Sequence, residues 1–169
     1  RGHTAPGEYD TLHSRKIAVA TDSSADIPSS VLAELSIPVI PLWLIWDDGS
    51  LRDGIDIDPT AFYRRLKDSP TLPTTSQPST GEFERFYREM AESADTIVSI
   101  HVSSKISGTA ESAQAARRRL PDVDIRIVDS LSCSMGLGFA VLAAARAAAA
   151  GQPAEQVIEA AQETQRRTH

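Results

Sequence analysis

The sequence predicts an α/β domain with a mainly parallel sheet and helices on both faces, and three observations carry that reading. Short β-type runs alternate with amphipathic helical segments, which implies right-handed crossovers between parallel strands. The helical segments carry recognisable start and stop signals. At 169 residues, with 41% hydrophobic and 24% charged residues, the chain has the size and composition of one globular domain.

The elements follow in order. Residues 1–15, RGHTAPGEYDTLHSR, have no apolar period and read as a disordered segment; they include basic residues but no apolar stretch of a signal peptide. KIAVAT at 16–21 has strand composition, and so does IPVIPLWLIW at 37–46. Asp47, Asp48, Asp53, Asp56 and Asp58, with Gly49 and Gly54, read as a solvated, hairpin-like acidic turn without the spacing of a calcium loop. Asp58 is a good N-cap for a helix opening at Pro59, with Phe62, Tyr63 and Leu66 at helical spacing. Ser79 and Glu82 make a capping box ahead of Phe83, Phe86 and Met90, which share one face.

TIVSIHV at 96–102 is the next strand, and a helix from near Ser107 to Leu120 is stopped by Pro121. Arg117, Arg118 and Arg119 read as its solvated C-terminal turn, favoured by the helix dipole. DIRIVD at 124–129 is a further strand. A helix runs from about Ser134 to Ala150 with Gly151 at its C′ position, and a last helix starts near Pro153.

A formal net charge of -6 argues against a nucleic-acid partner, which needs a concentrated surplus of Lys and Arg. GLGFAVLAAARAAAA is interrupted by Arg146 and is too short to cross a bilayer, so no integral membrane segment is expected. The single cysteine, Cys133, cannot form an internal disulfide, which fits a reducing compartment, the cytoplasm.

In an open α/β sheet the ligand lies outside the carboxyl ends of the strands, where the strand order reverses. TDSSAD, SSKISGT and DSLSCSMG occupy those positions, and TLPTTSQPST at 71–80 shares their density of hydroxyls. Hydroxyls beside free helix N-terminal amides form a neutral donor array suited to a carboxylate or phosphate. Any one such loop is also an ordinary cap or Ser/Thr turn; several together favour a binding site.

Other chemistries fit less well. GLG at 136–138 begins a dinucleotide-type pattern, but Val141 stands at the third glycine position, and no GxxxxGK(S/T) loop occurs. Gly136 and Gly138 read better as close packing at a helix start. Asp22 lacks the second acid two residues on that an aspartyl phosphatase pairs with its nucleophile, because Ser24 stands there. No metal or cofactor is expected. A hydrolase has candidate serines in Ser23, Ser76, Ser103, Ser104 and Ser107, with His101 as base, but GxSxG is absent. A Ser107, His101 and Asp22 site stays open as the alternative, against a structural role for His101.

Four motifs in this order, TDSSADIP at 21–28, TTSQPS at 74–79, SSKISGT at 103–109 and VDS at 128–130 followed by SMGLG, resemble the DegV family from about Lys16 to the end of the chain. The resemblance implies a protein that binds long-chain fatty acids and is not itself an enzyme. It would act as the lipid-carrying subunit of bacterial fatty acid kinase, presenting the acyl carboxylate to a separate ATP-dependent kinase subunit. By motif, Thr75, Ser76 and Ser107 would hold the carboxylate, and Gly108 and Thr109 would supply nearby amides. Asp22 and Ser23 would shape the same end of the pocket, while Asp129 and Ser130 are as well suited to structure as to binding. Family members carry a second α/β domain that encloses the acyl chain and brings an Arg and a His near the carboxylate. Residues 16–169 are therefore expected to be the N-terminal domain, stopping at QETQRRTH where the link to the second would begin.

Overall fold

The computed structural model describes residues 16–168; the segment 1–15, expected to be disordered, lies outside them. Its elements are β1 (Ile17–Asp22), a 3-10 turn (Ser23–Ala25), α1 (Ser29–Glu34), β2 (Val39–Ile40), β3 (Trp43–Trp46), β4 (Gly49–Arg52), α2 (Pro59–Asp68), β5 (Thr74–Ser76), α3 (Thr80–Ala91), β6 (Thr96–His101), α4 (Thr109–Arg119), β7 (Asp124–Asp129), α5 (Ser134–Ala149) and α6 (Ala154–Arg167).

Four parallel strands form the main sheet in the order β2-β1-β6-β7. Because side chains alternate across a strand, β6 sends Val98 and Ile100 to one face and Ile97, Ser99 and His101 to the other. The first face is covered by α1, α5 and α6 through Leu32, Leu137, Val141 and Val157. The second is covered by α3 and α4 through Phe83, Tyr87, Ala113 and Leu120. Coverage on both sides explains why every residue of β6 is buried, and it is the α/β architecture expected.

The expected start and stop signals are in place. Asp58 Oδ1 accepts from the Ala61 amide at 2.9 Å. Ser79 and Glu82 exchange both bonds of a capping box. Gly151 takes φ +73° just past α5, a conformation that favours glycine. The three arginines close α4, and Arg119 pairs with Glu84 of α3 at 2.8 Å. Tyr63, by contrast, is 68% exposed, while its neighbour Phe62 packs edge-on against Trp46.

Residues 37–46 are not one strand. Pro41 has no amide hydrogen to continue a ladder, so β2 ends at Ile40 and the chain leaves the main sheet. It enters a second, antiparallel sheet in the order β4-β3-β5. The acidic turn accordingly contains a strand, β4, and TTSQPS is partly a strand, β5. Several acids in this region are engaged with neighbours: Asp56 pairs with Arg52 at 2.9 Å, Asp48 with Arg65, and Asp47 accepts from the Thr71 hydroxyl. Leu44, Trp46 and Ile57 bury this small sheet against α2.

Gly138 marks a close approach. A Cβ there would lie 2.7 Å from the backbone oxygen of Ala25, so α5 packs directly on the 3-10 turn that follows β1. Close packing, rather than phosphate binding, accounts for this glycine. Gly138→Ala should cost about 1–3 kcal/mol through overpacking, against about 1 kcal/mol gained in helix propensity. A thermal melt should show a Tm lowered by several degrees; an unchanged or higher Tm would show that the turn yields freely.

Candidate functional site

The strand order reverses between β1 and β6, since the chain runs from β1 outward to β2 and from β6 outward to β7 on the opposite side. The crevice at their carboxyl ends is where a ligand of an open α/β sheet belongs. β1 ends there on Asp22 and β6 on His101, and both side chains are fully buried.

Asp22 Oδ2 accepts from His101 Nδ1 and from the Val102 amide, each at 3.0 Å. Its Oδ1 accepts from the Ser24 amide at 3.1 Å and from the Ser24 hydroxyl at 2.5 Å. Burial pushes this carboxyl up, but the hydrogen bonds from His101, Ser24 and Val102 outweigh it and hold it below the ordinary carboxylate value. On the far side of the imidazole, Nε2 lies 2.7 Å from Ser99 Oγ, which accepts from the Tyr87 hydroxyl at 3.0 Å. Burial pushes the Tyr87 phenol well above its usual range.

Ser99, His101 and Asp22 thus have the connectivity of a Ser/His/Asp triad, but all three are 0% exposed and no substrate carbonyl reaches the serine. The serine is also not Ser107. Strand alternation puts Ser99 beside His101, whereas the Ser107 hydroxyl lies 2.8 Å from that of Thr109. The structure therefore does not assemble the Ser107 and His101 pair that the alternative requires, and His101 takes the structural role.

The hydroxyl-bearing loops do come together. α4 begins after Gly108, which has no side chain to cap it, and Thr109 is buried at its first position. Ser107 is half-buried, and its oxygen also accepts from the Thr109 amide at 3.3 Å. A Cβ on Gly108 would stand 2.8 Å from Gln77 Nε2, so the TTSQPS loop lies directly against the SGT turn. Ser76 is half-buried on β5, and its hydroxyl makes only a long 3.4 Å contact to the Gln77 carbonyl, which leaves it available for a better partner. Thr75 is exposed beside it.

Ser23 joins the same edge. Its oxygen accepts from the Leu42 amide at 3.1 Å, one residue before Trp43, the cross-strand partner of Ser76. Asp22 and Ser23 also border a cavity of about 510 Å³ whose wall includes Ile27, Leu32, Val39 and Pro41. Asp53 lines it too: burial pushes its carboxyl up, a Ser23 hydrogen bond pulls it down, and neighbouring Asp26 adds to the rise.

Asp129 and Ser130 brace the loops. Asp129 accepts from the Ser104 amide and hydroxyl and from the Leu131 amide, and the Ser130 hydroxyl bonds the Ser132 carbonyl. Ile106, Leu131 and Phe139 stand exposed in the loops after β6 and β7 and in the first turns of α5. Among the described residues no three His, Cys, Asp or Glu side chains are placed to hold a metal ion. No described helix is long and apolar enough to cross a membrane.

Three participants were not singled out by sequence. Gln77 sits inside the TTSQPS motif, so its position was visible and its contact was not. Tyr87 and Ser99 had a fainter signal: Ser99 and His101 are polar residues two apart on an otherwise apolar strand, hence on one face.

Together these features define an open α/β domain with a hydroxyl-rich crevice at its topological switch point. The chain belongs to the DegV family, a family of uncharacterised proteins whose model matches residues 16–169. It is 41% identical over 146 residues to a DegV domain-containing protein of Listeria monocytogenes, covering 85% of this chain and 51% of that one. Against protein DegV of Bacillus subtilis it is 41% identical over 129 residues, 76% of this chain and 46% of that protein. Among solved structures, DegV from Bacillus subtilis, a fatty acid binding protein, matches with a TM-score of 0.85 and 37% identity over 90% of this chain and 54% of that one. A fatty acid-binding DegV family protein from Thermus thermophilus matches with a TM-score of 0.81 and 36% identity, covering 89% and 54%. The chain spans about half the length of the curated relatives it matches.

Proposed function

We propose that this chain carries the carboxylate-holding part of a long-chain fatty acid-binding protein, which presents the acyl carboxylate to a separate kinase subunit in the cytoplasm for acyl-phosphate formation. The observation that carries this reading is the meeting of Gln77, next to Ser76, with the Ser107–Thr109 turn at the start of α4, while the candidate base His101 is bonded to Ser99 and Asp22 instead. Thr75, Ser76 and Ser107 hold the carboxylate, the amides of Gly108 and Thr109 assist, and Asp22 and Ser23 shape that end of the pocket. A segment equivalent to the remaining half of the relatives encloses the rest of the acyl chain.

Two physical points support this division. Burying roughly sixteen methylenes at about 0.8 kcal/mol each yields on the order of 12 kcal/mol gross, while a hydrogen bond to a carboxylate nets about 1.5–3 kcal/mol. The tail therefore sets affinity, and the hydroxyls keep the head group from being buried unpaired while one oxygen faces the kinase. The cavity beside Asp22 has Asp26, Asp53 and Asp58 around it, which disfavours a carboxylate inside it and leaves the head group to the Ser76 and Ser107 edge.

Lipid extracted from the purified full-length protein should contain fatty acid by mass spectrometry, and added palmitate or oleate should be taken up. No co-purifying fatty acid together with no uptake would sink the proposal. Generic esters should not be turned over.

A further inference from the structure

We infer that the buried chain Tyr87, Ser99, His101 and Asp22 is a positioning device that sets the spacing of the carboxylate-holding loops, an inference that rests on the fatty acid reading above. Each end of the chain reaches a different loop. Asp22 Oδ1 holds the Ser24 amide and hydroxyl in the loop after β1, and Oδ2 holds the Val102 amide at the entrance to SSKISGT. Tyr87 belongs to α3, which starts on the Ser79 capping box directly after TTSQPS. Phe83, one turn earlier on α3, stands edge-on to the His101 ring at 5.1 Å and 88°, which fixes the ring plane.

The donor order is consistent from end to end. Tyr87 donates to Ser99, Ser99 donates to His101 Nε2, and His101 Nδ1 donates to Asp22. Every polar group of the chain is thereby satisfied within a core where all four residues are 0% exposed. Packing alone gives no reason for it. Phe83, Ile97, Ala113 and Ala20 surround this face, and well-packed apolar groups in place of a buried polar network are often neutral or stabilising. What apolar groups cannot do is fix the distance between the loops after β1 and β6. A carboxylate with four donors in definite directions does so, and it lies at the switch point between β1 and β6 where the loops diverge.

The inference separates head-group recognition from tail binding, and two probes with one tail read the difference: palmitate and hexadecanol. The unaltered protein should prefer palmitate. His101→Ala should weaken palmitate binding by about tenfold and leave hexadecanol within about twofold, since loop spacing governs only the carboxylate bonds. His101→Asn, whose amide can still donate to Asp22, should recover most of the preference. Tyr87→Phe removes one hydroxyl and keeps the ring, so it tests the chain even if His101→Ala does not fold; a smaller loss in the same direction is expected. Parallel loss of both probes, or an unchanged ratio in Tyr87→Phe, overturns the positioning role and leaves the fatty acid reading standing. An unaltered protein that binds neither probe, or shows no preference for palmitate, overturns the fatty acid reading and the inference with it.

Discussion

Asp22→Ala should lower the unfolding free energy by about 3–5 kcal/mol, because it strands the donors that a buried carboxylate now satisfies. Those donors are the Ser24 amide and hydroxyl, His101 Nδ1 and the Val102 amide. A domain of this kind is stable by only about 5–15 kcal/mol, so the loss is a large fraction of the whole. Urea titration is the measurement, with a lowered midpoint and an unchanged slope expected. Asp22→Asn should not restore stability, since whichever way the amide is turned its NH2 group faces a backbone donor, Ser24 or Val102. The pH dependence has a definite sign. The folded carboxyl is depressed below its ordinary 3.8, so its stabilisation is present above that value and is lost as the pH falls through the lower, folded one. Asp22→Ala should therefore destabilise most at neutral pH and progressively less in acid; a pH-independent difference would argue against an ionised Asp22.

Removing Ser76 and Ser107 hydroxyls together should separate two activities of the proposed carrier. With kinase and ATP, the Ser76→Ala, Ser107→Ala protein should form acyl phosphate about a hundredfold more slowly, because a displaced carboxylate oxygen loses its alignment for attack. Lipid loading should fall by less, about tenfold, since the tail's burial is untouched and the freed carboxylate can rehydrate at the pocket mouth. Mass spectrometry of bound lipid and a single-turnover phosphorylation assay give the two numbers. Equal losses would mean that the hydroxyls serve affinity, contrary to the division proposed here.

Much of the main sheet and its helices could be read from local signals. Asp58 with Pro59, Ser79 with Glu82, and Gly151 act within one helical turn of themselves, so their effect needs no knowledge of distant residues. The β-type composition of TIVSIHV likewise marks a strand wherever it packs. The second sheet was not legible in the same way. β4 and β5 are short and polar, and each is a strand only because β3 lies beside it. The β3–β5 pairing joins Trp43 to Ser76, a separation over which no local pattern reaches, whereas β3–β4 is the hairpin of the acidic turn. The break at Pro41 was visible as a proline, but an apolar run on either side of it masked the consequence.

At the candidate site the same distinction holds residue by residue. The chemistry offered by TTSQPS and SSKISGT, hydroxyls and helix-start amides without a reactive group, follows from residue identity, and so does the resemblance that pointed to a fatty acid carboxylate. Residue identity also left His101 two roles, base or structural support. Tertiary structure decided between them: it put His101 between Asp22 and Ser99 in a fully buried chain and turned Ser107 toward Thr109 instead. Gln77 over Gly108 is likewise a contact between residues 31 positions apart, created by the sheet order and not by either motif. The sequence by itself determined the local elements and the chemistry of each loop, because both depend on neighbours along the chain. Which groups face one another, and which are sealed from solvent, was decided only when β1 and β6 paired and carried their loops to one edge.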